Sequence, residues 1–122
     1  MSSQQDSPAI AVARAHVAAW SSKDFDTARS MLAPDVHVTA ITTNPALPAT
    51  DLTGADAYMD GLVAFAAPIV PGSVRELAVI GDEHNALLTL DLQGAAAPCA
   101  RLYLVEDGKI KTEQVIFYVT AP

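Results

Sequence analysis

A hairpin near the end of the sequence limits the folds open to this chain. Two runs rich in β-branched and aromatic residues flank Asp107-Gly108, the pair that most readily supplies the positive φ angles of a type I′ turn. A two-residue turn there places Glu106 opposite Lys109, and the register follows in steps of two. Both faces carry apolar side chains, so we expect a core on one side and a partner on the other. The predicted pairs are Leu104 with Lys111, Leu102 with Glu113 and Ala100 with Val115 on one face, and Val105 with Ile110, Tyr103 with Thr112 and Arg101 with Gln114 on the other.

Three helices are predicted in the first half of the chain. The first begins at Ser7, a hydroxyl N-cap followed by proline. The second begins at the N-cap Asp24 and ends before Pro34, and the third follows a capping box formed by Thr53 and Asp56. Apolar residues recur at helical spacing at Ile10, Ala13, Val17 and Trp20, then at Phe25, Ala28, Met31 and Leu32, then at Tyr58, Met59, Leu62, Phe65 and Ala66.

The remaining segments alternate with period two and predict β-strands. They are residues 36–41, 73–80 and 86–93 together with the two arms of the hairpin. A proline-punctuated loop at 44–49 and turns at 81–85 and 94–97 separate them. Helices followed by a run of strands predict an α+β fold, with three N-terminal helices packed on a strongly curved antiparallel β-sheet. A bent sheet around a helix leaves an internal space in which a ligand can bind.

The composition of the chain limits the type of protein that it can be and the classes of partner that it can bind. The 122 residues are 51% hydrophobic and 17% charged, which predicts one globular domain over 1–122, with 1–6 as a disordered tail. A net charge of −7 without a Lys/Arg cluster argues against nucleic acid as a partner. The longest apolar stretch, 62–70, is too short to span a membrane. The polar N-terminus lacks the basic region of a signal peptide, so we expect a cytoplasmic protein.

No cofactor or metal is expected. The single cysteine, Cys99, excludes an intrachain disulfide and a cysteine-based metal cage. The three histidines, His16, His37 and His84, lack the spacing of metal ligands. The sequence contains neither a glycine-rich phosphate loop nor a Gly-x-Ser-x-Gly nucleophile motif.

Four segments together resemble a known family. They are HVAAWSSKDFD at 16–26, LAPDVHV at 32–38, LTGADA at 52–57 and EDGKI at 106–110. In this order and spacing they resemble the nuclear-transport-factor-2-like superfamily, which includes SnoaL-like polyketide cyclases and ketosteroid isomerases. The resemblance implies a cone-shaped α+β barrel with a hydrophobic pocket. Because this fold hosts isomerases, cyclases, dehydratases, hydrolases and non-catalytic modules, it does not define the activity.

The isomerase pattern of that superfamily is incomplete here. Its helix-one tyrosine, which donates a hydrogen bond to the substrate oxyanion, falls on His16, and its catalytic aspartate falls on Ala40. Its protonated aspartate falls on Ala100 or Leu102. Since both carboxylates are missing, the resemblance does not imply steroid isomerisation by that machinery, which requires a base.

A histidine and a carboxylate remain as candidate catalytic groups. The resemblance places Glu113 on the pocket face of the last strand, and His16 shares a side of the first helix with Trp20. The two groups are predicted to form an acid–base pair for proton transfer on a small carbonyl compound. The alternatives are that His16 is a satisfied core residue, and that Glu113 is solvated or pairs with Lys111 or Arg101 after a one-residue slip in register.

The predicted function is small-molecule binding, with a cofactor-independent isomerase, cyclase or lyase acting on an apolar carbonyl compound as its catalytic form. The alternative is a non-catalytic ligand-binding or dimerisation module. Tyr58 is predicted either to donate a hydrogen bond at the mouth of the cone or to pack its ring. A homodimer is predicted through the outer sheet face, including Tyr103, Ile110 and Arg101. The predicted pocket residues are Trp20, Ala40, Tyr58, Leu62, Leu88, Leu90, Leu102, Val115 and Phe117.

Overall fold

A computed structural model of the chain describes residues 7–42, 50–92 and 99–117. The predicted α+β architecture is confirmed. The predicted tail at 1–6, the loop at 44–49 and the turn at 94–97 lie outside the described residues. The described elements are α1 (Pro8–Ser21), α2 (Phe25–Ser30), β1 (Leu32–Thr42), β2 (Thr50–Thr53), α3 (Ala55–Ala66), β3 (Val74–Gly81), β4 (Asn85–Leu92), β5 (Cys99–Glu106) and β6 (Lys109–Phe117).

The first two helices begin where the sequence predicts. The Ser7 hydroxyl accepts a hydrogen bond from the N–H of Ile10 at 3.3 Å, and the Asp24 carboxylate accepts one from the N–H of Thr27 at 3.3 Å. These bonds satisfy N–H groups that have no partner inside the helix. The capping box predicted for α3 is wrong. Its N-cap is Gly54, at φ 98° and without a side-chain hydrogen bond, because Thr53 is the last residue of β2.

Six strands form one mixed sheet in the described part of the chain, in the order β2-β1-β6-β5-β4-β3. Neighbouring strands are antiparallel except β1 and β6, which run parallel. The prediction of a wholly antiparallel sheet is therefore wrong for this pair, which joins strands far apart in sequence. The sheet is curved and open rather than closed into a barrel, with the short, unpredicted strand β2 at one edge and β3 at the other.

A β-bulge changes the register of the last hairpin. The predicted pairs of Glu106 with Lys109 and of Val105 with Ile110 are confirmed. Beyond them one residue of β6 has no opposite residue on β5, since the next pair joins Leu104 to Thr112. Every later pair is therefore one residue out of the predicted register. The prediction of Leu102 opposite Glu113 is wrong, and the observed pairs are Tyr103 with Glu113, Leu102 with Gln114, Arg101 with Val115 and Ala100 with Ile116.

The bulge lies at Lys111 and is held by contacts to the neighbouring segment. The ammonium of Lys111 lies 2.9 Å from the Asp35 carboxylate on β1. The N–H of Ile110 donates to the carbonyl oxygen of Met31 at 2.8 Å. Because one extra residue is inserted, Ile110 and Glu113 both face the core although they are an odd number of positions apart.

The helices cover the inner face of the sheet in two halves. Helix α1 packs on β3, β4 and β5, and α3 packs on β1 and β2. Leu88, Leu90 and Leu92 of β4 are buried beneath them. In the described residues no helix is long and apolar enough to cross a membrane.

The outer face carries a different set of residues from the one predicted. Tyr103, Ile110 and Arg101 are all buried on the inner face, so their assignment to an outer contact surface is wrong, and the one-residue bulge explains it. Apolar side chains do reach the outer surface, where Ile41 pairs with Ile116 across the parallel strands. The exposed outer-face apolar residues are Ile41, Ile80, Leu102 and Ile116.

Candidate functional site

A pocket of about 390 Å³ lies between α3 and the inner face of the four strands β2, β1, β6 and β5. Its wall is mostly apolar. The polar side chains that interrupt it are Thr50 on β2 and a cluster of three, Tyr58 on α3, Arg101 on β5 and Glu113 on β6. Such a wall is typical of a site for a small organic molecule. The lining residues are Val38, Ala40, Thr50, Leu52, Tyr58, Gly61, Leu62, Ala64, Phe65, Arg101, Glu113, Val115 and Phe117.

A buried ion pair forms the polar part of this wall. Nη1 of Arg101 donates to Oε2 of Glu113 at 2.5 Å, and the two residues are only 3% and 1% exposed. Burial is the largest single effect and would raise the pKa of Glu113, but the charge of Arg101, the contribution of His16 and the hydrogen bonds from Tyr58 and Arg101 together outweigh it, and the pKa lies below its usual value. Burial is also the largest single effect on Arg101 and would lower its pKa, but the charge of Glu113 together with smaller contributions from Cys99, Tyr103 and Tyr58 holds the pKa well above its usual value. Both groups are therefore ionised at neutral pH.

Tyr58 completes the environment of the carboxylate from the opposite side of the pocket. Its hydroxyl donates to Oε1 of Glu113, the oxygen that Arg101 does not bind. Burial, reinforced by the charge of Glu113, holds the pKa of Tyr58 well above its usual value. The phenol is thus a permanent donor, and its partner in the structure is Glu113. Its ring is buried as well.

Aromatic rings fix the guanidinium in place. The Cζ atom of Arg101 lies 5.0 Å from the ring centre of Trp20 on α1 and 5.1 Å from that of Phe65 on α3. Phe65 in turn packs against Phe117, with ring centres 5.4 Å apart. These cation–π contacts stabilise a desolvated charge and limit its rotation.

His16 is completely buried behind Tyr58 instead of lining the pocket. Its ring centre lies 5.9 Å from that of Tyr58 and 6.1 Å from that of Tyr103, both edge-on. Neither ring nitrogen has a hydrogen-bond partner among the described residues. Burial lowers the pKa of His16 from 6.5 to about 4; the Glu113 charge opposes this shift and Arg101 adds to it. The histidine is therefore neutral at neutral pH.

The structure brings together part of the predicted site. Glu113, Tyr58, Ala40, Leu62, Val115 and Phe117 all line the pocket. Trp20 lies behind the wall, against Arg101. Leu88 and Leu90 are core residues outside the lining set. Leu102 is 38% exposed on the outer face, so its predicted place in the pocket is wrong, because it belongs to the opposite side of β5.

Arg101 is the site residue that the main sequence interpretation placed on the wrong face, although the alternative of a one-residue slip in register includes its pairing with Glu113. It shares one face of β5 with Cys99, Tyr103 and Val105, which are all buried. The other face of the strand reads Ala100, Leu102, Leu104 and is equally apolar in sequence. The available signal was one unpaired arginine and one glutamate in adjacent apolar strands, a combination that is expected to pair when buried.

Among the described residues no three His, Cys, Asp or Glu side chains lie close enough to hold a metal ion. The polar side chains of the site comprise one cation, one anion, one phenol and the hydroxyl of Thr50. These groups suit hydrogen bonding to an organic molecule.

Comparison with known proteins agrees with this fold. The model of the SnoaL-like domain family matches residues 13–113. A protein of solved structure from Kribbella flavida is 30% identical, with a TM-score of 0.79 over 92% of this chain and 88% of the other. No curated protein matches the sequence significantly.

Two more distant structures share the fold. RV0760c from Mycobacterium tuberculosis, determined in complex with estradiol-17beta-hemisuccinate, has a TM-score of 0.71 at 16% identity over 90% of this chain and 93% of the other. A computationally designed 17-OHP binder has a TM-score of 0.71 at 16% identity over 91% of each chain. At this identity the likeness concerns the fold alone.

The buried histidine generates a prediction about stability. Between pH 6.5 and 4 the unfolded chain binds a proton at His16 that the folded chain does not, so the free energy of unfolding falls as the pH is lowered through this window. The loss from this residue is about 3 kcal/mol. Urea unfolding at pH 7, 6, 5 and 4 measures this effect. Between pH 7 and 4 the free energy of unfolding of His16→Leu should fall by about 3 kcal/mol less than that of the wild type. Parallel curves for variant and wild type would contradict the assigned protonation state.

Proposed function

Because the chain belongs to the SnoaL-like domain family, in the nuclear-transport-factor-2-like superfamily, we propose that it binds a small apolar molecule in the pocket between α3 and the sheet. The observation that carries the proposal is the combination of an apolar wall with a single polar cluster, Arg101, Glu113 and Tyr58. An apolar wall supplies affinity through burial, and a few fixed polar groups supply orientation.

The size of the pocket supports a ligand of two to four fused rings. Its volume of about 390 Å³ lies in the range found for small-molecule sites, roughly 300–1,000 Å³. The steroid derivative bound to RV0760c and the 17-OHP for which the designed binder was made are molecules of this size class. They illustrate that the fold accommodates such molecules.

Ligand binding is testable with methyl naphthyl ketone, an apolar bicyclic carbonyl compound. At a concentration about 100-fold above Kd, it should raise the Tm by on the order of 5–10 °C, because only the folded chain binds it. Ala40→Leu fills the pocket from β1 and should weaken binding at least about tenfold. Differential scanning fluorimetry and isothermal titration calorimetry measure the two quantities.

The matched control is Ala78→Leu, the same substitution at an exposed position of β3. This variant should bind the ketone like the wild type. Equal weakening by both substitutions, or no binding by the wild type, would overturn the proposed function.

A second candidate is proton transfer next to a carbonyl group. The observation that favours it is an ionised carboxylate at the pocket wall beside a phenol donor. The lowered pKa of Glu113 makes it a weak base, and both of its oxygens already accept hydrogen bonds. His16 is neutral but lies outside the lining set. The geometry thus favours binding over catalysis.

Deuterium exchange separates the two candidates. In D₂O the methyl protons of methyl naphthyl ketone exchange through the enolate, and NMR follows their loss. We expect the same exchange rate with the protein as with buffer. A faster rate that is lost in Glu113→Gln would establish proton transfer with Glu113 as the base, and its loss in His16→Ala would assign a role to the histidine.

We further propose that the chain forms a homodimer through the outer sheet face. The centre of that face, at Ile41, Ile116, Leu102 and Gln114, contains apolar or uncharged side chains and no ionisable one. Two copies that each carry a net charge of −7 repel elsewhere, so an uncharged patch is the favourable place for contact.

Light scattering tests the dimer. The wild type should elute with about twice the mass of one chain, and the double variant Ile41→Lys/Ile116→Lys should be monomeric because it places charges at the centre of the patch. Val70→Lys is the control, since Val70 is an equally exposed apolar residue that lies outside the sheet. A monomeric wild type at millimolar concentration would refute the proposal.

A further inference from the structure

The polar end of the pocket carries one positive and one negative charge at hydrogen-bond distance, and this arrangement bears on the ligand. On the premise of the proposed binding function, we infer that Glu113 masks the charge of Arg101, so that the site selects uncharged molecules with a terminal oxygen and rejects carboxylates of the same shape. Without Glu113, the guanidinium would be an anion-binding group in an apolar pocket.

The charges of the wall cancel for an entering ion. An anion is attracted by Arg101 and repelled by Glu113, whose side chains lie 2.5 Å apart. His16 is neutral and Tyr58 is a protonated phenol, so neither adds a compensating charge. The ion would lose its hydration in the apolar pocket and gain almost nothing in return. The same reasoning applies to a cation.

An uncharged oxygen faces no such loss. Arg101 has five N–H donors and the carboxylate of Glu113 accepts about four hydrogen bonds. The ion pair uses one of each, and Tyr58 uses one more acceptor site. The pair therefore keeps donor capacity for a carbonyl oxygen and acceptor capacity for a hydroxyl group.

The packing around the guanidinium also restricts its movement away from Glu113 toward a ligand. It packs against the rings of Trp20 and Phe65 at 5.0 and 5.1 Å, and its Nε is buried without a hydrogen-bond partner among the described residues. A fixed pair discriminates between ligands by charge, whereas a mobile arginine would adapt to either.

The test compares four naphthalenes of nearly equal shape by isothermal titration calorimetry at pH 7. They are methyl naphthyl ketone, ethylnaphthalene, naphthoate and naphthylmethylammonium. The wild type should bind the ketone several-fold more tightly than ethylnaphthalene, and at least about tenfold more tightly than either ion. Naphthoate that binds the wild type as tightly as the ketone would overturn the inference while leaving the binding function intact. Failure of all four compounds to bind would overturn the proposed function itself.

Two variants test whether Arg101 and Glu113 cause the discrimination between charged and uncharged ligands. Glu113→Gln keeps the shape of the side chain and removes the charge that balances Arg101. The affinity for naphthoate should therefore rise at least about tenfold, and naphthoate should become the preferred ligand. Arg101→Leu/Glu113→Leu replaces both charges by apolar groups, which buried pairs often tolerate. The advantage of the ketone over ethylnaphthalene should shrink in this variant, because the Tyr58 hydroxyl remains as a donor but the guanidinium is gone, and the variant decides the role of the pair even if the single variant fails to fold. A ketone advantage over ethylnaphthalene as large as that of the wild type would contradict the assignment.

Discussion

The desolvation of Arg101 and Glu113 governs the arrangement of the residues around them. Removing each charge from water costs several kcal/mol, and leaving one without its partner costs about 3–5 kcal/mol. The structure offsets this cost with the short contact between the two, a hydrogen bond from Tyr58 and two aromatic rings against the guanidinium. These groups come from α1, α3, β5 and β6, so the ion pair links both helical halves to the centre of the sheet.

The pair exists because the backbone of β6 contains one extra residue. Without the bulge at Lys111, the side chains after Ile110 would alternate in the opposite sense, and Glu113 would point to the outer face. The bulge is held by contacts that lie outside the pocket, to Asp35 and to the carbonyl of Met31. A surface feature of the strand thus determines the polarity of the interior.

Local features of the sequence predicted local structure well. The hydroxyl at Ser7, the carboxylate at Asp24 and the Asp107-Gly108 turn each act within a few residues, and the structure has all three in place. The register beyond Lys111 could not be predicted, because both faces of β5 are apolar in sequence and either would satisfy the alternation. The parallel pairing of β1 with β6 and the edge strand β2 depend on long-range contacts that no local pattern encodes.

Burial explains why His16 and Glu113, predicted as an acid–base pair, do not form an ion pair. Desolvation is the largest effect on the pKa of His16 and lowers it; the charge of Glu113 favours the protonated ring and that of Arg101 opposes it, but burial prevails. The imidazole is therefore neutral, and the carboxylate takes its hydrogen bonds from Arg101 and Tyr58. The structure satisfies Glu113 with permanent donors. A carboxylate in this state orients a bound molecule better than it accepts a proton from one.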